Sequence, residues 1–208
     1  MEDDIVELIK TGYSDDVLKA YMSLKPLAYK ADLARYCIIH TYGGWYFDLF
    51  VEIQDLKVLE HFTDNVEALI FREMLVPPGG SLLSVLNTVF WFKDPGHKVL
   101  GDLIQSVTEN VLNAEYGSHP FSVTGALEFG RQVARYELES SRAVFMVGDC
   151  SMADGYPTHQ INSSMFDNPL VVSRRRRILD DISSEVPSGY ERHPNSYYQM
   201  WLDRDIFN

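Results

Sequence analysis

Apolar residues recur at helical intervals from Asp3 to Lys10 and from Ser14 to Ser23, which predicts two short helices at the start of the chain. Ser14, Asp15 and Asp16 are residue types suited to opening the second. A longer helix is expected after Pro26, running to Tyr42, where Gly43-Gly44 stops it. Trp45 to Ile53 then reads as one strand of mixed apolar and aromatic residues. Ala68–Met74 and Asn87–Phe92 are further strand candidates, separated by the loop signal Pro77-Pro78-Gly79-Gly80. His97–Val111 and Gly125–Leu138 carry amphipathic helical patterns, and Ala143–Val147 reads as a short apolar strand. From Cys150 to Asn168 the chain is rich in Gly, Pro, Ser and Asn and reads as loop.

Strands alternating with helices predict an α/β domain, with a mixed, mostly parallel sheet flanked by helices. No repeat or low-complexity tract divides the chain, so residues 1–208 are expected to form a single domain. In such sheets a ligand binds beyond the carboxyl ends of the strands, which directs attention to the strand end near Asp48.

Composition narrows the function classes. Thirty acidic against 18 basic side chains give a formal charge of -12, which argues against a general nucleic-acid binder, whose affinity comes from neutralising phosphates. Cys37 and Cys150 are too few and too far apart for a disulfide framework or a zinc motif, and Cys37 reads as a small buried hydrophobe. No segment approaches the roughly 20 apolar residues that span a bilayer. The expectation is a soluble, cytoplasmic protein, or else the excised catalytic part of a larger or membrane-associated one. Neither a G-x-S-x-G elbow nor a G-x-x-x-x-G-K-[ST] phosphate loop occurs.

The chemistry concentrates between Ala31 and Asp48. Asp32 and Arg35 are three residues apart and share a helix face. Alone they would amount to a surface ion pair worth roughly a few tenths of a kcal/mol. Asp48, however, lies inside the run Trp45-Tyr46-Phe47-Asp48-Leu49-Phe50-Val51, where a carboxylate is costly to bury without a cation or donors. It is expected to face a divalent metal, a ribose hydroxyl or an Arg.

This segment resembles the DXD-containing sugar transferases, a family that includes the catalytic domains of large glucosylating bacterial toxins. Their pattern is a helix reading A-x-x-[AS]-D-x-x-R-[YF], then G-G-x-Y-x-D-x-D. Ala28, Ala31-Asp32, Arg35-Tyr36, Gly43-Gly44, Tyr46 and Asp48 fall on it at the right spacing. Looser likenesses follow at Asn87 and Phe90, Pro95-Gly96-His97, Thr124-Gly125, and His193 with Ser196 and Tyr197.

The resemblance implies a GT-A type, Rossmann-like fold, a nucleotide diphosphate sugar as donor (a UDP-sugar above all), and Mn or Mg as cofactor. It implies a retaining transfer of a hexose to a glycan or protein acceptor. Carried over by position, Asp32 contacts sugar hydroxyls, Arg35 the sugar or diphosphate, Tyr46 the nucleotide pocket and Asp48 the ribose and metal region. Asn87 is implied at the donor. A cation there would stabilise the charge developing on the leaving diphosphate.

Two departures stand out. Phe50 occupies the position of the second Asp of D-x-D, usually the direct metal ligand, so the metal is expected on Asp48 and His193, with Glu52 as another carboxylate two residues beyond Phe50. The family's opening strand, I-P-K-I-I-H-x-x-W, has no counterpart before Asp32, which implies a minimal or N-terminally shortened form. Two further readings stay open: a degenerate module binding nucleotide or glycan without turnover, and a metal-dependent hydrolase or phosphotransferase built on Asp48. Outside the motif, Asp149 reads as a catalytic, acceptor-binding or turn-capping residue. Arg174–Arg177 reads as a solvated helix start answered by Asp180 and Asp181, as a diphosphate or acidic-acceptor contact, or as an interaction surface. His97 and His119 lack metal-ligand spacing.

Overall fold

The structure is a computed structural model that describes residues 2–49, 51–54, 66–73, 84–140, 145–153, 156–161, 170–175 and 197–208. Helix α1 (Glu2–Gly12) has three acids in its first turn and Lys10 in its last, which suits the helix dipole. Helix α2 (Asp15–Ser23) starts after Ser14, whose side chain makes no capping bond; Asp15 and Asp16 face the same dipole instead. Both pack on α3 (Leu27–Tyr42), the helix on which the site depends.

Helix α3 is buried on several sides, including Tyr29, Asp32, Leu33, Arg35, Tyr36, Cys37 and Ile39. The requirement for Gly43 at its end is steric. Its φ is +66°, and a Cβ would lie 3.0 Å from the Lys93 carbonyl oxygen and 3.3 Å from that of Phe92. The chain therefore turns tightly against the end of a strand and enters β1 (Gly44–Phe47).

The remaining strands are β2 (Val51–Ile53), β3 (Ala68–Arg72), β4 (Val89–Phe92), β5 (Phe145–Ala153), β6 (Tyr156–Ile161) and β7 (Leu170–Arg175). They form one seven-stranded sheet in the order β1-β4-β3-β5-β6-β7-β2. Helices α4 (Lys98–Leu112) and α5 (Ala126–Glu139) pack on each other, and a short α6 (Tyr197–Leu202) touches α3.

The α/β class stands, but the expectation of a mostly parallel sheet does not. Only β3 and β5 pair parallel; the other described pairings are antiparallel. The physical reason is the connections. A parallel pair needs a crossover of a dozen or more residues, which α4 and α5 supply between β4 and β5. Strands β5, β6 and β7 follow one another closely and can only fold back as a meander. Cys150–Ala153 and Tyr156–Ile161 are thus strand, against the expectation of loop, and Arg174 and Arg175 lie on β7 rather than at a helix start.

The expected strand from Trp45 to Ile53 also divides. Asp48 accepts from the Val51 N–H at 2.9 Å through its carbonyl, and its own N–H donates to the Thr88 carbonyl at 2.9 Å. That turn sends β1 and β2 to opposite ends of the strand order although residues 48–50 alone separate them. The sheet must therefore curl until its two edges approach each other at Asp48.

Side-chain alternation reports the same curl. Ala68, Ile70, Phe90 and Phe92 face the helices, packing with Tyr36, Leu100 and Phe129. Leu69, Phe71, Val89 and Trp91 point the other way and pack with Trp45, Phe47, Val51, Cys150, Ile161 and Val172, which come from the other five strands. Both faces of β3 and β4 are buried, so these strands read as continuous apolar runs rather than alternating ones. Phe90 and Phe129 (ring centroids 5.3 Å apart) anchor the helix side; each buried phenylalanine contributes roughly 1.5–3 kcal/mol.

Candidate functional site

A cleft of about 470 Å³ opens where α3, the Asp48 turn and the start of β4 meet. It lies beyond the carboxyl ends of β1 and β3, because β4 runs antiparallel to both and presents Asn87 and Thr88 at the same end. Asp32, Arg35, Asp48 and Asn87 line it together.

Arg35 is the hub. Its Nη1 donates to Asp48 Oδ1 at 3.0 Å and to the Asn87 carbonyl at 2.7 Å; Nη2 lies 3.3 Å from Asp32 Oδ1, and Nε donates to the Ala31 carbonyl. Its guanidinium also sits over the Tyr46 ring, 4.7 Å from the centroid, a geometry in which the ring face attracts the cation. Burial opposes the charge on Arg35, but Asp32, Tyr46 and Asp48 together raise its pKa. It is a fixed cation.

Asp32 is held from both sides. Asn87 Nδ2 donates to Oδ1 at 2.8 Å and Thr124 Oγ1 donates to Oδ2 at 2.7 Å. Burial pushes its pKa up, with Arg35 and the Thr124 and Asn87 donors pulling against it. Asn87 Nδ2 also reaches the Tyr36 hydroxyl (3.1 Å), which donates to the Thr124 carbonyl at 2.9 Å. Gly125 follows, where an added Cβ would come within 3.6 Å of Asp32 Oδ2. The Thr-Gly pair thus closes around the Asp32 carboxylate at the start of α5.

Asp48 is the more open carboxylate. Its Oδ1 accepts from Arg35 and from the Tyr46 hydroxyl at 2.7 Å, leaving Oδ2 uncommitted among the described residues. Burial raises the Tyr46 pKa, so the phenol stays protonated and keeps donating. Tyr46 itself stacks on Phe90 at 5.3 Å, which ties the site to the helix-side core.

The five positions expected at the donor, Asp32, Arg35, Tyr46, Asp48 and Asn87, therefore converge on one network. The metal half is different. Phe50 and His193 lie outside the described residues. Glu52 is exposed on β2, in register with Arg174 of β7, and does not line the cleft. Among the described residues no group of three His, Cys, Asp or Glu side chains converges to hold a metal ion. One oxygen of Asp48 is a single ligand, not a coordination set.

Other expectations fall elsewhere. Asp149 Oδ1 accepts from Arg72 Nε (2.8 Å) across the parallel pair. His97 caps α4, its Nδ1 accepting from the Val99 N–H, and packs on Phe92. His119 accepts from the Phe121 N–H at the turn Pro120–Ser122. Arg176 and Arg177 are outside the described residues.

Sequence reasoning missed Glu73, Cys150, His159 and the rings of Phe121 and Tyr197 as further lining of the cleft. Tyr197 is carried by α6, whose following segment is tied down: Lys25 N–H donates to Ile206 and Asn208 N–H to Ser23.

No curated protein and no solved structure matches the chain. Residues 2–66 do match a family, the one described as glycosyltransferase sugar-binding region containing DXD motif. That stretch holds α1 to β2 and so contains Asp32, Arg35, Tyr46 and Asp48. That match points to a glycosyltransferase-related, sugar-binding role for this stretch and to a sugar donor as its partner. Asp32, Arg35 and Asp48 of the cleft's charged wall thus lie within the stretch that resembles the DXD-containing glycosyltransferase sugar-binding region.

Proposed function

We propose that the protein is a retaining glycosyltransferase that moves a hexose from a nucleotide diphosphate sugar, a UDP-sugar first among them, to a glycan or protein acceptor. The observation that carries this reading is the buried Arg35 cation held between Asp32 and Asp48 in the cleft, within the stretch that matches the family. Among the described residues Arg35 is the only Lys or Arg lining that cleft. A diphosphate would meet its guanidinium, and Asp32 and Asp48 would accept from sugar and ribose hydroxyls. Tyr46 and Asn87 hold these groups in place.

In the proposed reaction the acceptor oxygen bonds to the anomeric carbon on the face from which the diphosphate oxygen departs. The hydroxyl proton passes to the leaving diphosphate. Arg35 stabilises the charge growing there, and because the group is already oriented, little reorganisation is needed. Asp48 Oδ2, which no described residue engages, is the oxygen this wall would offer a divalent cation, and such a cation would share the charge on the leaving diphosphate.

A second reading is favoured by two specific observations. Both oxygens of Asp32 are engaged by the protein's own donors, and Phe50 stands where the family's metal ligand is expected. A module that binds nucleotide or glycan without turnover fits these features.

The readings separate in one experiment. The protein is incubated with a panel of nucleotide sugars, with Mn or Mg and with chelator, and released nucleoside diphosphate is measured. Release from at least one donor, abolished in Asp48→Ala, is the expected result. Saturable nucleotide-sugar binding with no release from any donor refutes the transferase and leaves the binding module. Phosphate release from non-sugar substrates would instead identify a hydrolase or phosphotransferase.

A further inference from the structure

Asp32 can accept more hydrogen bonds than the described residues make to it, and its partners decide where the surplus lies. A carboxylate offers about four acceptor sites, shared evenly between its oxygens. Oδ1 has two neighbours: Asn87 Nδ2 donates to it at 2.8 Å, and Arg35 Nη2 lies 3.3 Å away. Oδ2 has one, the Thr124 hydroxyl, which donates at 2.7 Å; among the described residues nothing else engages it. The surplus of Asp32 is therefore on Oδ2.

That oxygen also has room beside it. Gly125 lines the cleft with Asp32, and a Cβ there would lie 3.6 Å from Oδ2. The backbone does not demand glycine at this position. Its φ is -95°, which other residues adopt freely, and the same Cβ would meet Phe121 at an ordinary 3.4 Å. What the glycine provides is clearance at Oδ2.

Thr124 is fixed on every side. It is fully buried, and its carbonyl accepts from the buried Tyr36 hydroxyl at 2.9 Å. The Val123 carbonyl before it accepts from Asn110 Nδ2 at 3.1 Å, and the Gly125 carbonyl after it from the Phe129 N–H at 3.0 Å. The Thr124 hydroxyl thus holds one end of the carboxylate while Asn87 and Arg35 hold the other. The group is oriented before a ligand arrives, which cuts the cost of ordering it on binding.

We propose that Thr124 aims the Asp32 carboxylate so that Oδ2 accepts a single hydroxyl of the transferred hexose, and that Gly125 leaves the room this hydroxyl needs. This rests on the transferase reading above and deepens it. Thr124 is a positioning residue and Gly125 a specificity-determining one. A site built to bond one hydroxyl rejects the sugar that lacks it far more strongly than an apolar pocket does.

The test uses the full chain, a panel of UDP-hexoses, and each monodeoxy analogue of the best donor among them. UDP release gives kcat and KM, and calorimetry gives the affinity for UDP alone, which carries no hexose. Thr124→Val keeps the branched shape and removes the hydroxyl. It is expected to lower kcat/KM for the intact donor roughly ten- to thirtyfold while UDP affinity stays within about twofold of wild type. Thr124→Ser, which keeps the hydroxyl, restores most of the loss. One monodeoxy donor is turned over poorly by wild type and loses no more than about twofold on Thr124→Val, because the hydroxyl that Asp32 meets is already gone. Gly125→Ala lowers kcat/KM for the intact donor and affects that same monodeoxy donor least. UDP affinity falling with turnover, Thr124→Ser as poor as Thr124→Val, or every monodeoxy donor losing alike overturns the assignment. Should Thr124→Val not fold, Gly125→Ala decides: undiminished turnover, or no monodeoxy donor spared, overturns it equally. If wild type turns over no donor, the transferase reading falls and takes this one with it. Wild-type turnover that is indifferent to both positions defeats the Thr124 and Gly125 assignment alone.

Discussion

Replacing Arg35 by methionine keeps much of the side-chain volume and removes the cation on which the site is centred. Asp48 has 29% of its side chain exposed, so water can solvate it when its partner goes. Asp32 has only 12% of its side chain exposed, so there the penalty concentrates. Stripping one member from a buried pair typically costs about 3–5 kcal/mol, because the remaining charge is left uncompensated. Thr124 and Asn87 keep donating to Asp32, which places the expected loss near the lower end, about 3 kcal/mol at pH 7. For a chain of this size that corresponds to a fall in Tm of roughly 6–12 °C. The sign of the pH dependence follows from Asp32. Burial already raises its native pKa, and loss of Arg35 raises it further, so the native variant holds a proton that the unfolded chain releases. Its stability deficit is then largest near neutrality, shrinks as pH falls through the raised native pKa, and is least below about pH 4. Urea unfolding of wild type and Arg35→Met at pH 7 and pH 5 measures both quantities. Asp32→Asn/Arg35→Met should be less destabilised than the two single losses summed, by about 1–3 kcal/mol. A variant within 1 kcal/mol of wild type at pH 7, or a deficit independent of pH, would refute the account of Arg35 as compensating a buried Asp32.

Two further outcomes are expected. Gly43→Ala should destabilise the fold by about 1–2 kcal/mol or more, from its φ of +66° and the contact with the Lys93 carbonyl; a change below 0.5 kcal/mol in urea unfolding, on the order of surface-substitution effects, contradicts this. Tyr46→Phe removes a donor to Asp48 Oδ1 and should weaken nucleotide-sugar binding by roughly three- to tenfold with little change in Tm, which titration calorimetry can check.

The helices and the charged wall were legible in the sequence for local reasons. α3 needs no distant partner to declare itself: Pro26 precedes it, Gly43 ends it, and the spacing from Asp32 to Arg35 fixes their shared face. The break at Asp48 was hidden because the turn carries no Gly or Pro. It is stabilised instead by the Thr88 carbonyl and by Arg35, contacts that only the tertiary fold creates. The start of β5 falls within the expected strand Ala143–Val147, but its continuation, β6 and β7 were hidden for a related reason. Cys150, Thr158, His159 and Ser173 are small or polar residues buried inside the curl, so a pattern that equates burial with apolar character passes over them. What makes them strands is backbone pairing, of β5 with the distant β3 and of β6 and β7 in turn beside it.

The Asp48 turn also has a temporal consequence. The motif is contiguous, yet Val51, three residues past Asp48, finds its strand partner at Arg175, over a hundred residues later. Closing so long a loop is slow, and non-local pairings of this kind dominate folding times. The helix bearing Asp32 and Arg35 can form early, while the turn that presents Asp48 is fixed on both sides only when the last strand docks. During synthesis, therefore, the cleft's charged wall is completed only after Arg175 has been made, more than a hundred residues after Asp48.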